Sequence, residues 1–204
     1  MADVSGVILA GGRSSRMGVD KASLLLDGVT MLQRSVNRLA GAVDELVLVG
    51  APGRPLPDVV TDRPVRLVED PIEGKGPLVG IVAGLEACRG SVALVVAVDM
   101  PFVEPALLRA LVTRLDEDHR WVVPVAEERP QPLCSVLAVS ALPVLRAHLA
   151  AGDRAPMAAA SDLGAYQMPP EEWRAFDPEG RSFINANTPD EFAALLEGPE
   201  TASD

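Results

Sequence analysis

The sequence has little cysteine and no long apolar run. Its two cysteines, Cys88 and Cys134, lie far apart, which excludes a disulfide framework or a zinc site built on paired cysteines. The longest apolar run, residues 92–98, is far shorter than the roughly 18 residues that a membrane span needs. No basic region precedes an apolar stretch near Met1, so no signal peptide is predicted. These absences predict a cytoplasmic protein with no membrane association.

Positive charge is also scarce. The chain has 18 Lys+Arg against 29 Asp+Glu, a formal net charge of -11. A general nucleic-acid binder needs a basic face to neutralise phosphates, so this class is disfavoured. A small anionic ligand needs only a local positive pocket or a metal. Lys21 and Lys75 are the only lysines, and both lie in glycine-bearing segments, where an ammonium suits a phosphate. Chance placement is the alternative.

Apolar strands and amphipathic helices alternate along the chain, which predicts an α/β fold with a mostly parallel, Rossmann-like sheet in a three-layer αβα sandwich. We expect one domain over residues 1–197 and a disordered tail over 198–204. The predicted strands are 4–10, 45–49, 65–68, 92–98, 121–125 and 133–139, and the predicted helices are 30–39, 77–87, 105–115, 141–150 and 190–196.

The loop 11–21 (GGRSSRMGVDK) follows the first predicted strand. Ligands in open α/β sheets bind outside the carboxyl ends of strands, so this loop is a candidate binding loop. Its glycines allow close backbone approach, while Arg13, Arg16 and Lys21 supply positive charge, a combination suited to phosphate. The Gly-Lys-Ser/Thr of a Walker A loop is absent. The structural alternative is a solvated turn.

Two further loops follow predicted strands. In the loop 69–80 (EDPIEGKGPLVG), the glycine spacing is one residue too long for a dinucleotide fingerprint, so an ordinary strand-to-helix turn competes with a binding role. Asp99 follows the apolar strand 92–98, where one carboxylate can hold Mg²⁺ together with water and ligand phosphates. The alternative is that Asp99 caps the next helix, but Glu104 lies nearer to the helix start and is the better candidate for that cap.

Nucleophilic catalysis by a side chain is disfavoured. His119 and His148 fall outside the three loops, at helix ends or on helix faces, and both are predicted to be surface residues. Cys134 has no basic neighbour and is predicted to be a partly buried, inert thiol. Asp153 and Arg154 are predicted to form a solvated turn.

Several of these segments resemble one family. The sequence LAGGRSSRMGVDK at residues 9–21 is similar to the LAGGxSxRMGxDK signature of molybdenum cofactor guanylyltransferases. In the related cytidylyltransferases and sugar-nucleotide pyrophosphorylases this loop commonly begins LAAG, so Gly11 and Gly12 favour the guanylyl branch. The resemblance continues, in order, through Asp70, GPLVG at 76–80, VDMPF at 98–102, QPL at 131–133 and FINANTP at 183–189.

The resemblance implies a Mg²⁺-dependent transfer of GMP from GTP to the terminal phosphate of molybdopterin, with release of pyrophosphate. It also implies GTP and molybdopterin as partners, and molybdenum cofactor assembly proteins as further candidate partners. Arg16, Lys21 and Asp99 would be catalytic, and Asp99 would hold the metal. By the same resemblance, the nucleotide would contact Leu9, Ala10, Gly11, Gly12, Lys21, Asp70 and Asp99, and the acceptor side would be formed by Gly80, Asn185 and Asn187.

Three alternatives stay open at this point. One is a related enzyme that uses CTP or another phosphorylated acceptor. Another is a nucleotide-binding protein without turnover, which the combination of Arg16, Lys21 and Asp99 disfavours. A Rossmann oxidoreductase is the most distant, because the glycine spacing does not fit.

Overall fold

The computed structural model describes residues 3–11, 20–70, 76–185 and 191–192. Its strands are β1 (Val4–Leu9), β2 (Leu25–Leu26), β3 (Val29–Thr30), β4 (Glu45–Gly50), β5 (Val65–Glu69), β6 (Val92–Ala97), β7 (Trp121–Ala126), β8 (Arg129–Pro130), β9 (Cys134–Ala138) and β10 (Tyr166–Met168). Its α-helices are α1 (Met31–Leu39), α2 (Pro77–Ala87), α3 (Pro105–Thr113), α4 (Leu142–Ala151) and α5 (Pro170–Trp173). Short 3-10 turns occupy Lys21–Ser23, Val139–Ala141, Pro156–Ala159 and Arg181–Phe183.

The main sheet has the strand order β10-β7-β9-β6-β1-β4-β5, and β8 pairs with β7. Strand β1 is parallel to both β4 and β6, β4 is parallel to β5, and β7 is parallel to β10. Strand β9 runs antiparallel between β6 and β7. The predicted mostly parallel α/β sheet is therefore confirmed.

Helices cover both faces of this sheet. Val7 of β1 lies between Val47 and Val95 of its neighbours, and this row packs in one core with α2 and α4. Ile8, the next residue, points to the opposite face and packs in a second core with α1 and α3. Strands β1 and β6 are buried on both faces, which explains their nearly continuous apolar sequence. The three-layer prediction is confirmed.

The crossovers place a cleft above β1. Helix α1 connects β1 to its neighbour β4 on one face of the sheet. Helix α2 lies on the other face, over β1, β4 and β5, and connects β5 to β6, which pairs with β1 on the side away from β4. The strand order reverses at β1, and such switch points leave a crevice at the carboxyl ends of the strands. The loops after β1, β4 and β6 meet at this edge.

Several elements differ from the predictions. The β2–β3 hairpin, β8, β10 and α5 were not predicted. The hairpin turns at Asp27 and Gly28, whose φ angles of 51° and 75° fit a two-residue turn. Of the predicted helix 190–196, only Glu191 and Phe192 belong to the described residues, and the predicted tail 198–204 lies outside them. The single-domain boundary at residue 197 stays a prediction. In the described part of the chain, no helix is long and apolar enough to cross a membrane.

Candidate active site

A cavity of about 360 Å³ opens at the carboxyl ends of β1, β4 and β6. Most of the predicted site residues that the structure describes lie here. Asn185 is described but exposed and is not part of the described lining, while Gly12, Arg16 and Asn187 lie outside the described residues. The described lining consists of Leu9, Ala10, Gly11, Lys21, Val49, Asp70, Gly76, Pro77, Gly80, Ala97, Val98, Asp99 and Leu133.

Lys21 is held by a short capped turn. The Oδ1 atom of Asp20 accepts a hydrogen bond of 3.1 Å from the Ala22 amide and so caps the 3-10 turn that begins at Lys21. The Ala22 side chain is fully buried and anchors this turn in the core. The two adjacent residues therefore have different roles: Asp20 fixes the backbone of the turn, and Lys21 lines the cavity with its ammonium group.

Asp99 is fixed by the end of β6. The Val98 amide donates to the Leu9 carbonyl at 3.1 Å, which extends the pairing of β1 and β6 to the rim of the cavity. The Met100 amide then donates to the Ala97 carbonyl at 3.2 Å and closes a turn around Asp99. The Oδ2 atom of Asp99 lies 2.8 Å from the Lys21 Nζ. Asp99 therefore lines the cavity just beyond the carboxyl end of β6.

The backbone of the first loop is partly committed. The amides of Ala10 and Gly11 both donate to the Val49 carbonyl, at 2.8 and 2.9 Å. Gly11 also lies against β4, since a Cβ built there would be only 3.0 Å from the Ala51 nitrogen. The close packing of Gly11 against the end of β4 therefore favours glycine at this position. Because both amides are already bonded, Ala10 and Gly11 can bond to a ligand through the backbone only by accepting at a carbonyl oxygen.

Asp70 brings a second carboxylate to the cavity. Its amide donates to the Gly50 carbonyl at 2.8 Å, and the residue is only 8% exposed. Gly80, on the first turns of α2, faces it: a Cβ at this position would lie 3.7 Å from the Asp70 Oδ2 and 3.4 Å from the Leu9 Cδ2. Asp70 thus borders the space between β1 and α2.

One part of the site was missed in the sequence. Gly76, which precedes α2, has a φ of 98°, and a Cβ there would lie 2.9 Å from the Arg154 carbonyl oxygen. That carbonyl also accepts from the Leu78 amide at 3.3 Å. The turn at Asp153 and Arg154 is therefore not a solvated turn but packs against the start of α2, beside the cavity.

Other predictions for side chains outside the cleft need correction. His148 lies near the surface, but its ring lies between Asp153 and Asp162 and its side chain is only 19% exposed. Cys134 is fully rather than partly buried, and burial raises the pKa of its thiol to about 12. Glu104 stands at the cap position of α3, yet its side chain makes no capping hydrogen bond.

Comparison with known proteins decides the family. A model of the MobA-like NTP transferase domain matches residues 6–164. A Chloroflexus aggregans protein named probable molybdenum cofactor guanylyltransferase is 39% identical over 200 residues, which cover 92% of this chain and 91% of the relative. The chain belongs to the MobA-like NTP transferase family. It is therefore a nucleotidyltransferase, and the predicted family is confirmed.

Solved structures agree with this family. Molybdopterin-guanine dinucleotide biosynthesis protein A from Archaeoglobus fulgidus superposes with a TM-score of 0.76 at 25% identity, covering 95% of this chain and 97% of that one. A Mycobacterium tuberculosis protein solved in complex with manganese shares the fold, with a TM-score of 0.62 at 19% identity, covering 96% of this chain and 99% of that one. The MobA-like fold thus extends over nearly the whole chain.

Proposed function

We propose that this MobA-like nucleotidyltransferase is a molybdenum cofactor guanylyltransferase, which transfers GMP from GTP to the terminal phosphate of molybdopterin and releases pyrophosphate. The observation that carries the proposal is the convergence of Lys21, Asp70 and Asp99 on one cavity at the carboxyl ends of β1, β4 and β6. The names of the Chloroflexus and Archaeoglobus proteins support the same reaction. The low cysteine and absence of long apolar runs favour a cytoplasmic location, where molybdenum cofactor assembly proteins are candidate partners.

The hydrogen bonds of the first loop favour guanine over cytosine. With their amides bonded to the Val49 carbonyl, Ala10 and Gly11 can offer a base only their carbonyl oxygens, and Asp70 adds a carboxylate. All of these groups are acceptors. Guanine presents two donor groups on its Watson–Crick edge, N1–H and N2–H₂, whereas cytosine presents N4–H₂ alone. An acceptor-rich pocket therefore suits GTP better than CTP.

The charged pair fits a triphosphate with its metal. Mg²⁺ takes one or two carboxylates and completes its shell with water and substrate phosphates, and Asp99 supplies a carboxylate at the cavity floor. Among the described residues no group of three or more acidic, histidine or cysteine side chains forms a closed metal cage, which agrees with an ion shared with the substrate. Mg²⁺ bound by Asp99 would neutralise phosphate charge, while Lys21 binds and orients the triphosphate.

No protein nucleophile is required. An oxygen of the acceptor phosphate attacks the α-phosphorus of GTP, a new P–O bond forms, and the bond to the β-phosphate oxygen breaks so that pyrophosphate leaves. Positioning and charge neutralisation supply the rate enhancement for such transfers. The buried Cys134 and the distant His119 fit this scheme, since neither reaches the cavity lining. Arg16 is proposed to contact the triphosphate and Gly12 the nucleotide.

The acceptor side is assigned to Asn185 and Asn187, with Gly80 at the border between the two substrates. The segment before Asn185 is tied to the Asp99 loop, because the Glu104 amide donates to the buried Ser182 Oγ at 2.9 Å. The two Asp177 carboxylate oxygens accept from the amides of Arg181 and Ser182, at 3.0 and 2.8 Å. These bonds support a fixed distance between the Asp99 carboxylate, which is proposed to hold the metal, and the segment that carries Asn185.

The first experiment compares GTP, CTP, ATP and UTP, each with and without Mg²⁺, by thermal shift. A ligand at 100 times its Kd adds about 2.7 kcal/mol of stability. We expect stabilisation by GTP with Mg²⁺, and then acceptor-dependent release of pyrophosphate from GTP when molybdopterin is supplied. A preference for CTP would assign the chain to a cytidylyl reaction, and binding without turnover in the presence of acceptor would overturn the proposed transfer.

A further inference from the structure

A charged cluster lies at the end of α4, outside the cavity. The His148 Nδ1 is 2.7 Å from the Asp153 Oδ2, and the Nε2 is 3.1 Å from the Asp162 Oδ2. Both ring nitrogens are donors only in the protonated imidazole, so two carboxylate partners select the charged form. Since both nitrogens are engaged in this way, the cluster is suited to hold a turn and not a metal ion.

The turn that His148 holds is short and closed by the helix end. Gly152 takes the left-handed conformation, with a φ of 100°, and ends α4. The Asp153 amide donates to the His148 carbonyl at 3.0 Å, so both the backbone and the side chain of His148 bind Asp153. The Arg154 Nη1 donates to the Leu149 carbonyl at 3.1 Å. Because Arg154 is the next residue after Asp153, the contacts between His148 and Asp153 also fix the backbone of Arg154.

This turn touches the first turn of α2, at the edge of the cavity. The Arg154 carbonyl accepts from the Leu78 amide at 3.3 Å, one of the first amides of a helix, which have no partner within the helix. The same carbonyl packs on Gly76 so closely that a Cβ there would be 2.9 Å away. Gly76 and Pro77 in turn line the cavity. A continuous series of contacts thus leads from His148 to the cavity wall.

We propose that His148 is a positioning residue for the nucleotide cavity, acting through the turn at Asp153 and Arg154 on the first turn of α2. The proposal rests on the proposed function only in that the cavity takes GTP. When the ring is removed or discharged, the turn loses one of its anchors, and the start of α2 is no longer held in one position. His148 does not touch the cavity, so it affects binding without taking part in transfer.

The charge of His148 makes this contact depend on pH. The groups that face it are Asp153 and Asp162, while Arg120 donates to the Asp162 carbonyl at 2.8 Å and Arg154 to the Asp153 carbonyl at 2.6 Å. Hydrogen bonds to Asp153, and then to Asp162, raise the pKa of His148 above its ordinary value of 6.5. A raised pKa means that the contact is complete below that ordinary value and weakens as pH rises through the folded pKa.

The test compares His148→Gln with a matched control, His119→Gln. His119 also pairs with an aspartate, Asp116, at 3.0 Å, but lies just before β7, at the edge of the sheet opposite the cavity. The Kd for GTP with Mg²⁺, without acceptor, is measured by calorimetry from about pH 6 to about pH 9. We expect His148→Gln to raise the Kd about fivefold at the acid end and to flatten its rise with pH. His119→Gln should follow the wild type.

A second measurement does not depend on nucleotide binding. Hydrogen exchange of the Leu78 amide, in the protein without ligand, reports directly on its bond to Arg154. We expect faster exchange of this amide in His148→Gln. Asp162→Asn, which removes the charge of one of the two carboxylate partners of His148, should have the same effect and replaces the first variant if that variant does not fold. Unchanged exchange at Leu78 in a folded variant would overturn the positioning role. Failure of the wild type to bind GTP would instead contradict the proposed function and leave the exchange result decisive for His148.

Discussion

The ammonium nitrogen of Lys21 lies 2.8 Å from the Asp99 Oδ2, and this ion pair joins the loop after β1 to the loop after β6. Both side chains are about one-fifth exposed, at 19% and 21%, and both line the cavity. In this pair, the lysine ammonium occupies a position beside the carboxylate that a metal ion would take. With both ligands bound, Asp99 would hold the metal and Lys21 would bind the triphosphate, so the two side chains would no longer pair with each other.

Lys21→Met should therefore change metal and nucleotide binding in opposite directions. Without the ammonium, the Asp99 carboxylate is open to a cation, and Mn²⁺ alone should bind more tightly than to the wild type. GTP should bind roughly tenfold to a hundredfold more weakly, because a charged hydrogen bond contributes about 1.5–3 kcal/mol. Paramagnetic resonance of free Mn²⁺ measures the first effect and calorimetry the second. Asp99→Asn is the control, and it should lose Mn²⁺ binding.

If Mn²⁺ binds Lys21→Met no better than the wild type, the competition between lysine and metal for Asp99 is wrong. If Asp99→Asn still binds Mn²⁺ as the wild type does, the metal assignment itself is wrong.

Two glycines on α2 separate a binding effect from a packing effect. A Cβ at Gly80 would meet Leu9 and Asp70 at 3.4 and 3.7 Å, which are ordinary contacts. Gly80→Ala should keep or raise stability, because alanine favours a helix by about 1 kcal/mol, while its methyl group fills space beside Asp70. We expect the Kd for GTP to rise about tenfold, as one methyl group can do in a fitted pocket.

Gly84→Ala, one turn further along α2, should behave in the opposite way. A Cβ there would lie 2.4 Å from the Val7 Cγ1, in the core under the helix. Such overpacking costs about 1–3 kcal/mol of unfolding free energy. Denaturant unfolding should show the loss, and the GTP affinity of the folded fraction should change little. Equal losses of stability in both variants would contradict this division.

The position of Asp99 could be predicted from the sequence, whereas its contact with Lys21 could not. A carboxylate directly after a strand that is apolar on both faces has to lie at the carboxyl edge of the sheet. Parallel strands share this edge, so the loops after β1 and β6 meet there. The 2.8 Å contact depends on the path of the loop after β1 and on the buried Ala22, which no local pattern specifies.

The contact between Arg154 and Gly76 was out of reach for a related reason. It joins a backbone carbonyl to a helix start, so the identity of the Arg154 side chain says nothing about it. Asp153 and Arg154 read locally as solvent-exposed charges, and only the packing of α4 beside α2 brings them to the site. The β2–β3 hairpin was missed for a different reason. Asp27 and Gly28 form a strong local turn signal, but each flanking strand has only two residues, too few to show the alternating apolar pattern of a strand.

Glu45 should make the stability of the fold sensitive to acid. It lies at the opposite edge of the sheet, where it accepts hydrogen bonds from the Ser5 hydroxyl at 2.7 Å and the Arg89 amide at 2.6 Å. Burial works to raise the pKa of Glu45, but the bonds from Arg89 and Ser5 outweigh it and lower the pKa below its ordinary 4.5. The ionised form is therefore stabilising above that value, and its contribution is lost as pH falls through the folded pKa.

Glu45→Gln should lower the free energy of unfolding by about 1–3 kcal/mol at neutral pH. The difference in unfolding free energy between the variant and the wild type should become smaller in acid. Glu86→Gln is the matched control, since Glu86 pairs with Arg146 while both are about half exposed, at 44% and 57%. An exposed pair of this kind contributes about 0–1 kcal/mol. Urea unfolding at several pH values distinguishes the two, and a constant gap for Glu45→Gln would contradict the role of its charge.

Both thiols should be unreactive in the folded protein. Burial raises the pKa of Cys134 to about 12, with the charge of Asp177 acting in the same direction, and burial raises the pKa of Cys88 to about 11. Reaction with an aromatic disulfide reagent needs the thiolate, so labelling at neutral pH should be slow and should reach two thiols only after unfolding. Cys88, which is only partly buried, should react first.

Transfer activity should survive exposure to the reagent, because the proposed reaction uses no thiol. Rapid labelling of Cys134 in the folded chain, or loss of activity in proportion to its labelling, would show that β9 opens beside the cavity or that this cysteine contributes to the reaction.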